Sequence, residues 1–161
     1  MAAKRRAVRK GTPERNVRDN DHRARSLARR LAVQALYQLQ INPRSWQETQ
    51  REFAAGPEAE RVDLDYFCAL IAAIAPNRAT LDLRLAPLCE IPPHELDPIE
   101  HAVLWLGLHE LGSCPELPYR VALAEAVQLT KQFGATDGHK FVNAVLDRAA
   151  RELRPREYGA D

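Results

Sequence analysis

Apolar positions along this chain recur at steps of three and four from about residue 28 to residue 153, and never settle into the two-residue alternation of a strand. In LPYRVALAEAVQLTKQF, the residues Tyr119, Ala122, Ala126, Leu129 and Phe133 form one helical stripe. Pro118 suits the first helical position. Lys131 suits the last turn, and Gly134 just beyond it is free to turn left-handed. In ATDGHKFVNAVLDRAAREL, the residues Val142, Val145, Leu146, Ala149 and Leu153 share a face, and Thr136 or Asp137 is placed to cap the start. The short connection makes these two segments an antiparallel helical hairpin.

The same spacing organises the rest. A helix is expected from His22, capped by Asn20 or Asp21, to Ile41, with Ala28, Leu31, Ala32, Ala35, Leu36 and Leu39 as its stripe. Ser45 with Glu48 has the form of a capping box, and Trp46 and Phe53 behind it point to the core. A third helix from Asp63 to Ala75 presents Leu64, Phe67, Ile71 and Ile74; a fourth from Asn77 presents Leu81, Leu85 and Leu88. Pro92 and Pro93 mark a linker. Asp97, Pro98 and Glu100 then open a fifth helix, IEHAVLWLGLHEL, which is apolar on nearly every side and so belongs in the middle of a bundle. Gly107 within it allows a neighbouring helix to come close. The predicted fold class is all-α, with about seven helices in two halves, residues 22–90 and 95–153. Residues 1–21 are expected to be a disordered basic arm, and 154–161 a tail.

Charge adds a second division. The net charge is only +1, yet residues 1–30 hold eleven Lys or Arg against three acids, leaving an acidic remainder. Clustered cations of this kind either solvate a free tail or meet a polyanion, because they displace condensed counterions from phosphates. On the first helix Arg23, Arg30, Gln34 and Tyr37 lie together on one side, and Arg25 and Arg29 flank it. Four arginines within eight residues repel one another, a cost that a bound anion removes. Tyr37, Gln34 and Gln38 among them favour single-stranded nucleic acid, since aromatic faces stack on bases. Asp137, His139, Lys140 and Phe141 crowd the first turn of the last helix, which reads either as Phe141 in the core with Lys140 on a solvated surface or as a second binding edge.

Other chemistries are poorly supplied. The three serines, Ser26, Ser45 and Ser113, stand in no nucleophile-elbow context, and the seven glycines form no phosphate loop. Cys68, Cys89 and Cys114 are widely spaced and lack a C-x-x-C pair, so neither a disulfide framework nor a metal site is expected. The reading is no enzyme and no cofactor. No run of 18 apolar residues and no secretory apolar region occurs, which predicts a cytoplasmic protein without membrane contact.

The strings VALAEAVQLTKQFGATDGHKFVNAVLDRAA and RRLAVQALYQLQ, with DLDYFCALIAAI and DPIEHAVLWLGLHEL in order between them, resemble the NusB family of transcription antitermination factors. The resemblance covers about residues 22–153. It implies a NusB-like fold of two perpendicular helical subdomains. It also implies binding of boxA-type single-stranded RNA from ribosomal RNA leader transcripts together with the ribosomal protein NusE, and entry into the RNA polymerase elongation complex with other Nus factors. By position it assigns phosphate contacts to Arg23, Arg25, Arg29 and Arg30, shaping or stacking roles to Tyr37 and Phe141, added charge to Lys140 and a restraining charge to Asp137. The NusE surface falls near Glu95 and Glu100. HRARSLARR departs from the family's tighter arginine run, with Arg30 at a position often acidic. NusB-like domains also precede ribosomal RNA cytosine methyltransferases, but this chain has no room for a cofactor-binding sheet. The competing reading is a protein-interaction or homodimer module with a non-specific basic tail.

Overall fold

The structure is a computed structural model and describes residues 13–160. Among them there is no strand, and the helices are α1 (Pro13–Ile41), α2 (Trp46–Ala54), α3 (Leu64–Ile74), α4 (Arg78–Leu85), α5 (Pro98–Ser113), α6 (Tyr119–Phe133), α7 (Gly138–Leu153) and α8 (Pro155–Tyr158). Helices α1 to α3 pack on one another, α5 to α7 do likewise, and α5 also touches α1, α3 and α4. The stripes read from sequence are the core: Leu31, Leu36, Phe67, Ile71, Leu85, Leu129 and Val145 are all buried in one cluster. From His101 to Leu108 every residue of α5 is buried, as a helix with apolar residues all round requires. Among the described residues no helix is long and apolar enough to cross a membrane.

Gly107 does what its position suggests. A Cβ there would lie 2.6 Å from Leu146 Cδ1, so the missing side chain is what lets α7 press onto α5. The capping residues at Ser45, Asp63 and Asp97 each accept backbone N–H groups of the following turn.

Four local readings are corrected. Helix α1 starts at Pro13 rather than His22, so nine residues assigned to the arm are helical; residues 1–12 lie outside the described part. Pro13 presets the first helical φ, and Glu14 sits at the positive end. Such a helix carries no apolar stripe because it is exposed on every side, and that is why periodicity missed it. Second, Gly134 is not left-handed (φ −86°, ψ 177°); it is required by space, since a Cβ would meet the Thr130 carbonyl oxygen at 2.7 Å. Third, the left-handed residue is Asp137, at φ 65°, and its side chain makes no capping bond to α7. Asp tolerates this region better than most residues with a Cβ. Fourth, residues 154–160, read from sequence as a tail, are packed: Arg154 is buried, and α8 folds back on α6 and α7, with the Tyr158 ring tilted against that of Tyr119 at 5.2 Å.

Candidate nucleic-acid interface

Helix α1 turns Gln34, Tyr37 and Gln38 toward a cleft of about 490 Å³, closed on other sides by Phe53 of α2, Asp97 to Ile99 at the start of α5, and Phe133 at the end of α6. A smaller hollow of about 290 Å³ adjoins it through Gln34 and Phe53 and runs toward Glu58. The cleft wall is aromatic and its rim carries amide and carboxylate groups. That is the chemistry that takes an unstacked base by its face and reads its edge. Arg30 does not line this cleft but a neighbouring hollow with Glu58 and Arg61; it is half-buried, with its guanidinium 5.4 Å from the Phe133 ring and its Nε buried without a hydrogen-bond partner. Phe53, Phe133 and Asp97 were missed as site residues. Sequence spacing marks both phenylalanines as core and Asp97 as a cap, and only the tertiary fold brings their outer edges to one cleft.

The four arginines do not act together. Arg23 is exposed on the same side of α1 as Arg30 and Tyr37. Arg25 is about half exposed, 3.6 Å from Asp63, and lies over the Tyr66 ring at 5.3 Å. Arg29, expected to contact phosphate, is instead 2% exposed, and its Nε donates to both oxygens of Glu110 at 3.0 and 2.9 Å. Tyr66 Oη donates to the same carboxylate, and Glu125 lies 3.6 Å from Arg29 Nη1. Burial opposes the Arg29 charge, yet Glu110, with Tyr66 and Glu125 behind it, holds its pKa above the usual guanidinium range. Burial and then Glu110 push the Tyr66 hydroxyl upward. Arg29 is therefore a structural cation.

At the second edge, Asp137 and Lys140 are exposed and paired with each other at 3.2 Å, and Phe141 is half-buried against the core. Glu95 is exposed beside His94. Glu100 is half-buried and its carboxylate lies over the first turn of α7: a Cβ on Gly138 would sit 2.0 Å from Glu100 Oε1. Burial, then Asp97, raise the Glu100 pKa. The proposed partner surface and the turn carrying Lys140 and Phe141 are thus in direct contact. Gly138→Ala is expected to displace the end of the Glu100 side chain, at a cost of roughly 1 kcal/mol. Urea unfolding checks this, and the added loss is expected to vanish when Glu100→Ala is already present, as a double-mutant cycle reads out.

The three thiols are half-buried, and burial raises all three pKa values, so none is an activated nucleophile. Among the described residues no group of three His, Cys, Asp or Glu is placed to hold a metal ion.

Against known proteins, the family model described as the NusB family matches residues 26–151. The chain belongs to the NusB family. It is 44% identical over 132 residues to "Transcription antitermination protein NusB" of Idiomarina loihiensis, covering 82% of this chain and 95% of that one. It is 43% identical over 136 residues to the protein of the same name from Hahella chejuensis, covering 84% and 91%. A solved structure of T. maritima NusB superposes with a TM-score of 0.73 at 27% identity, over 83% of this chain and 95% of that one. The NusB match takes in Arg29, Arg30, the aromatic cleft and the α7 turn, whereas Arg23, Arg25 and the first three turns of α1 precede it.

Proposed function

We propose that this chain is a transcription antitermination factor that binds boxA-type single-stranded RNA of ribosomal RNA leader transcripts together with the ribosomal protein NusE, and so joins the RNA polymerase elongation complex with other Nus factors. The observation that carries the RNA reading is the cleft in which Gln34, Tyr37 and Gln38 face Phe53 and Phe133, with the Arg30 guanidinium against the Phe133 ring. A base stacks on Tyr37 or Phe133 while the amides meet its edge. Arg23, Arg30 and Lys140 neutralise phosphates along the path, and Phe141 with Asp137 shapes the far side. NusE, if basic at its docking face, meets the carboxylates of Glu95, Asp97 and Glu100 at the start of α5. Relatives that share the antitermination name over most of their length support the transcriptional role.

Fluorescence anisotropy of labelled boxA RNA, with a scrambled RNA as control and with and without NusE, tests this at two salt concentrations. The expected result is tighter binding to boxA, strengthened by NusE. Tyr37→Ala then weakens boxA binding by about 1–3 kcal/mol, roughly 5- to 150-fold. Equal weak binding to both RNAs, unaffected by NusE, would sink the reading and leave a homodimer or protein-interaction module.

A further inference from the structure

The first turn of α7 carries a carboxylate that belongs to another helix. Gly138 is buried, although it stands between exposed Asp137 and half-buried His139. A Cβ built on it would meet Glu100 Oε1 at 2.0 Å, Glu100 Cδ at 3.0 Å and Thr130 Cγ2 at 3.4 Å. Glycine therefore lets the Glu100 carboxylate of α5 lie directly on the α7 backbone, where any side chain would push it off.

That charge has no local counterpart. Among the described residues Glu100 is in no ion pair, and its neighbour Asp97 is held close by accepting the backbone N–H groups of Ile99 and Glu100. Burial, then Asp97, keeps the Glu100 carboxyl above its usual range, as expected of a carboxylate without a cation beside it. In the α7 turn itself, Lys140 is already matched by Asp137 at 3.2 Å. Asp97, Glu100, Asp137 and Lys140 thus meet at one corner, and three of the four are acids. A phosphate approaching Lys140 and Phe141 meets net negative charge there.

Resting on the partner reading above, we infer that Glu100 is the residue through which the partner strengthens RNA binding. Its carboxylate, lodged on the α7 backbone at Gly138, repels phosphate from the turn that carries Lys140 and Phe141. A cation of a basic partner docked at the start of α5 cancels that charge, and the turn then accepts RNA. One carboxylate serves both surfaces, so the coupling needs no movement of the helices. Because such coupling is reciprocal, bound RNA tightens the partner's hold by the same factor.

The test is the near-isosteric Glu100→Gln, measured by anisotropy of labelled boxA RNA without NusE and with NusE at saturation. Without NusE the variant binds RNA about two- to fourfold more tightly than wild type, the scale of one like charge removed from about 5–10 Å away in water. That advantage shrinks as salt rises. At saturating NusE the two proteins converge, so the variant gains less from NusE by the same factor. Glu152→Gln removes an exposed carboxylate from the last turn of α7, about 21 Å along the helix from Gly138, and changes neither value. Three outcomes overturn the inference. Glu100→Gln binds free RNA no better than wild type, or worse, as loss of a mere prop for the turn would give; it keeps its full advantage at saturating NusE; or Glu152→Gln gains as much, which makes the effect one of net charge. Failure of the partner reading looks different: NusE leaves the RNA affinity of wild type unchanged, while the gain of Glu100→Gln on RNA alone still supports its carboxylate as the restraint.

Discussion

Arg29→Ala lowers the stability of the fold by about 3–5 kcal/mol, because it strands the Glu110 carboxylate in a site where that side chain is only 1% exposed. The loss is a large part of the about 5–15 kcal/mol that holds a typical domain together. It is expected as a drop of roughly 6 to 20 °C in Tm, read by circular dichroism. Arg29→Lys recovers only part, since a single ammonium cannot meet both Glu110 oxygens as the planar guanidinium does. A variant that melts like wild type yet loses RNA would return Arg29 to the binding surface. Normal stability together with lost RNA affinity is the result that burial rules against.

Arg154→Ala is expected to cost about 3 kcal/mol or more, since hydrogen bonds to a charged donor are each worth roughly 1.5–3 kcal/mol and several are lost together. Its guanidinium donates to the carbonyl oxygens of Leu111, Leu117 and Cys114 at 2.8, 2.9 and 2.8 Å, and more weakly to that of Glu110 at 3.3 Å. It also meets Glu157 Oε2 at 2.7 Å, while Glu157 Oε1 accepts from the Tyr119 backbone N–H. One cation therefore ties the end of α5, the connection to α6, and α8. Those carbonyls include the negative end of the α5 dipole, where a cation is favoured. Hydrogen exchange separates this from a general loss: amides of residues 112–119 speed up most, ahead of those in α1 and α3. Ending the chain after residue 153 gives the same pattern, whereas removal of a loose tail would change nothing.

The helical fold was legible because burial leaves a periodic trace. Leu31, Leu36 and Leu39, or Val142, Val145 and Leu146, repeat at the spacing of a buried face whatever they pack against. The polar keystones leave no such trace. Arg29 reads as surface beside Arg25 and Arg30, and its partner stands 81 residues away. One clue was present: Glu110 is the lone acid among the apolar residues of the fifth helix after its first turn, and a buried carboxylate demands a cation. Arg154 follows the last apolar position of α7 and so falls outside any stripe. The exposed start of α1 was missed for the opposite reason, since a helix with nothing to bury has no apolar period. At the candidate site, sequence placed Tyr37, Gln34 and Arg30 on one side of α1. It could not bring Phe53, Asp97 and Phe133 to face them, because that juxtaposition depends on how α2, α5 and α6 close around the helix.

The Arg29 network has a consequence for unfolding. Ser26 and Arg29 come from α1, Tyr66 from α3, Glu110 from α5 and Glu125 from α6, so the buried charges are neutralised only after segments from both ends of the chain have met. Neither half can complete its interior alone: residues 13–90 would expose an unmatched guanidinium and residues 95–160 two unmatched carboxylates. Unfolding is therefore expected as one concerted transition, seen as coincident melting curves from tryptophan fluorescence and circular dichroism.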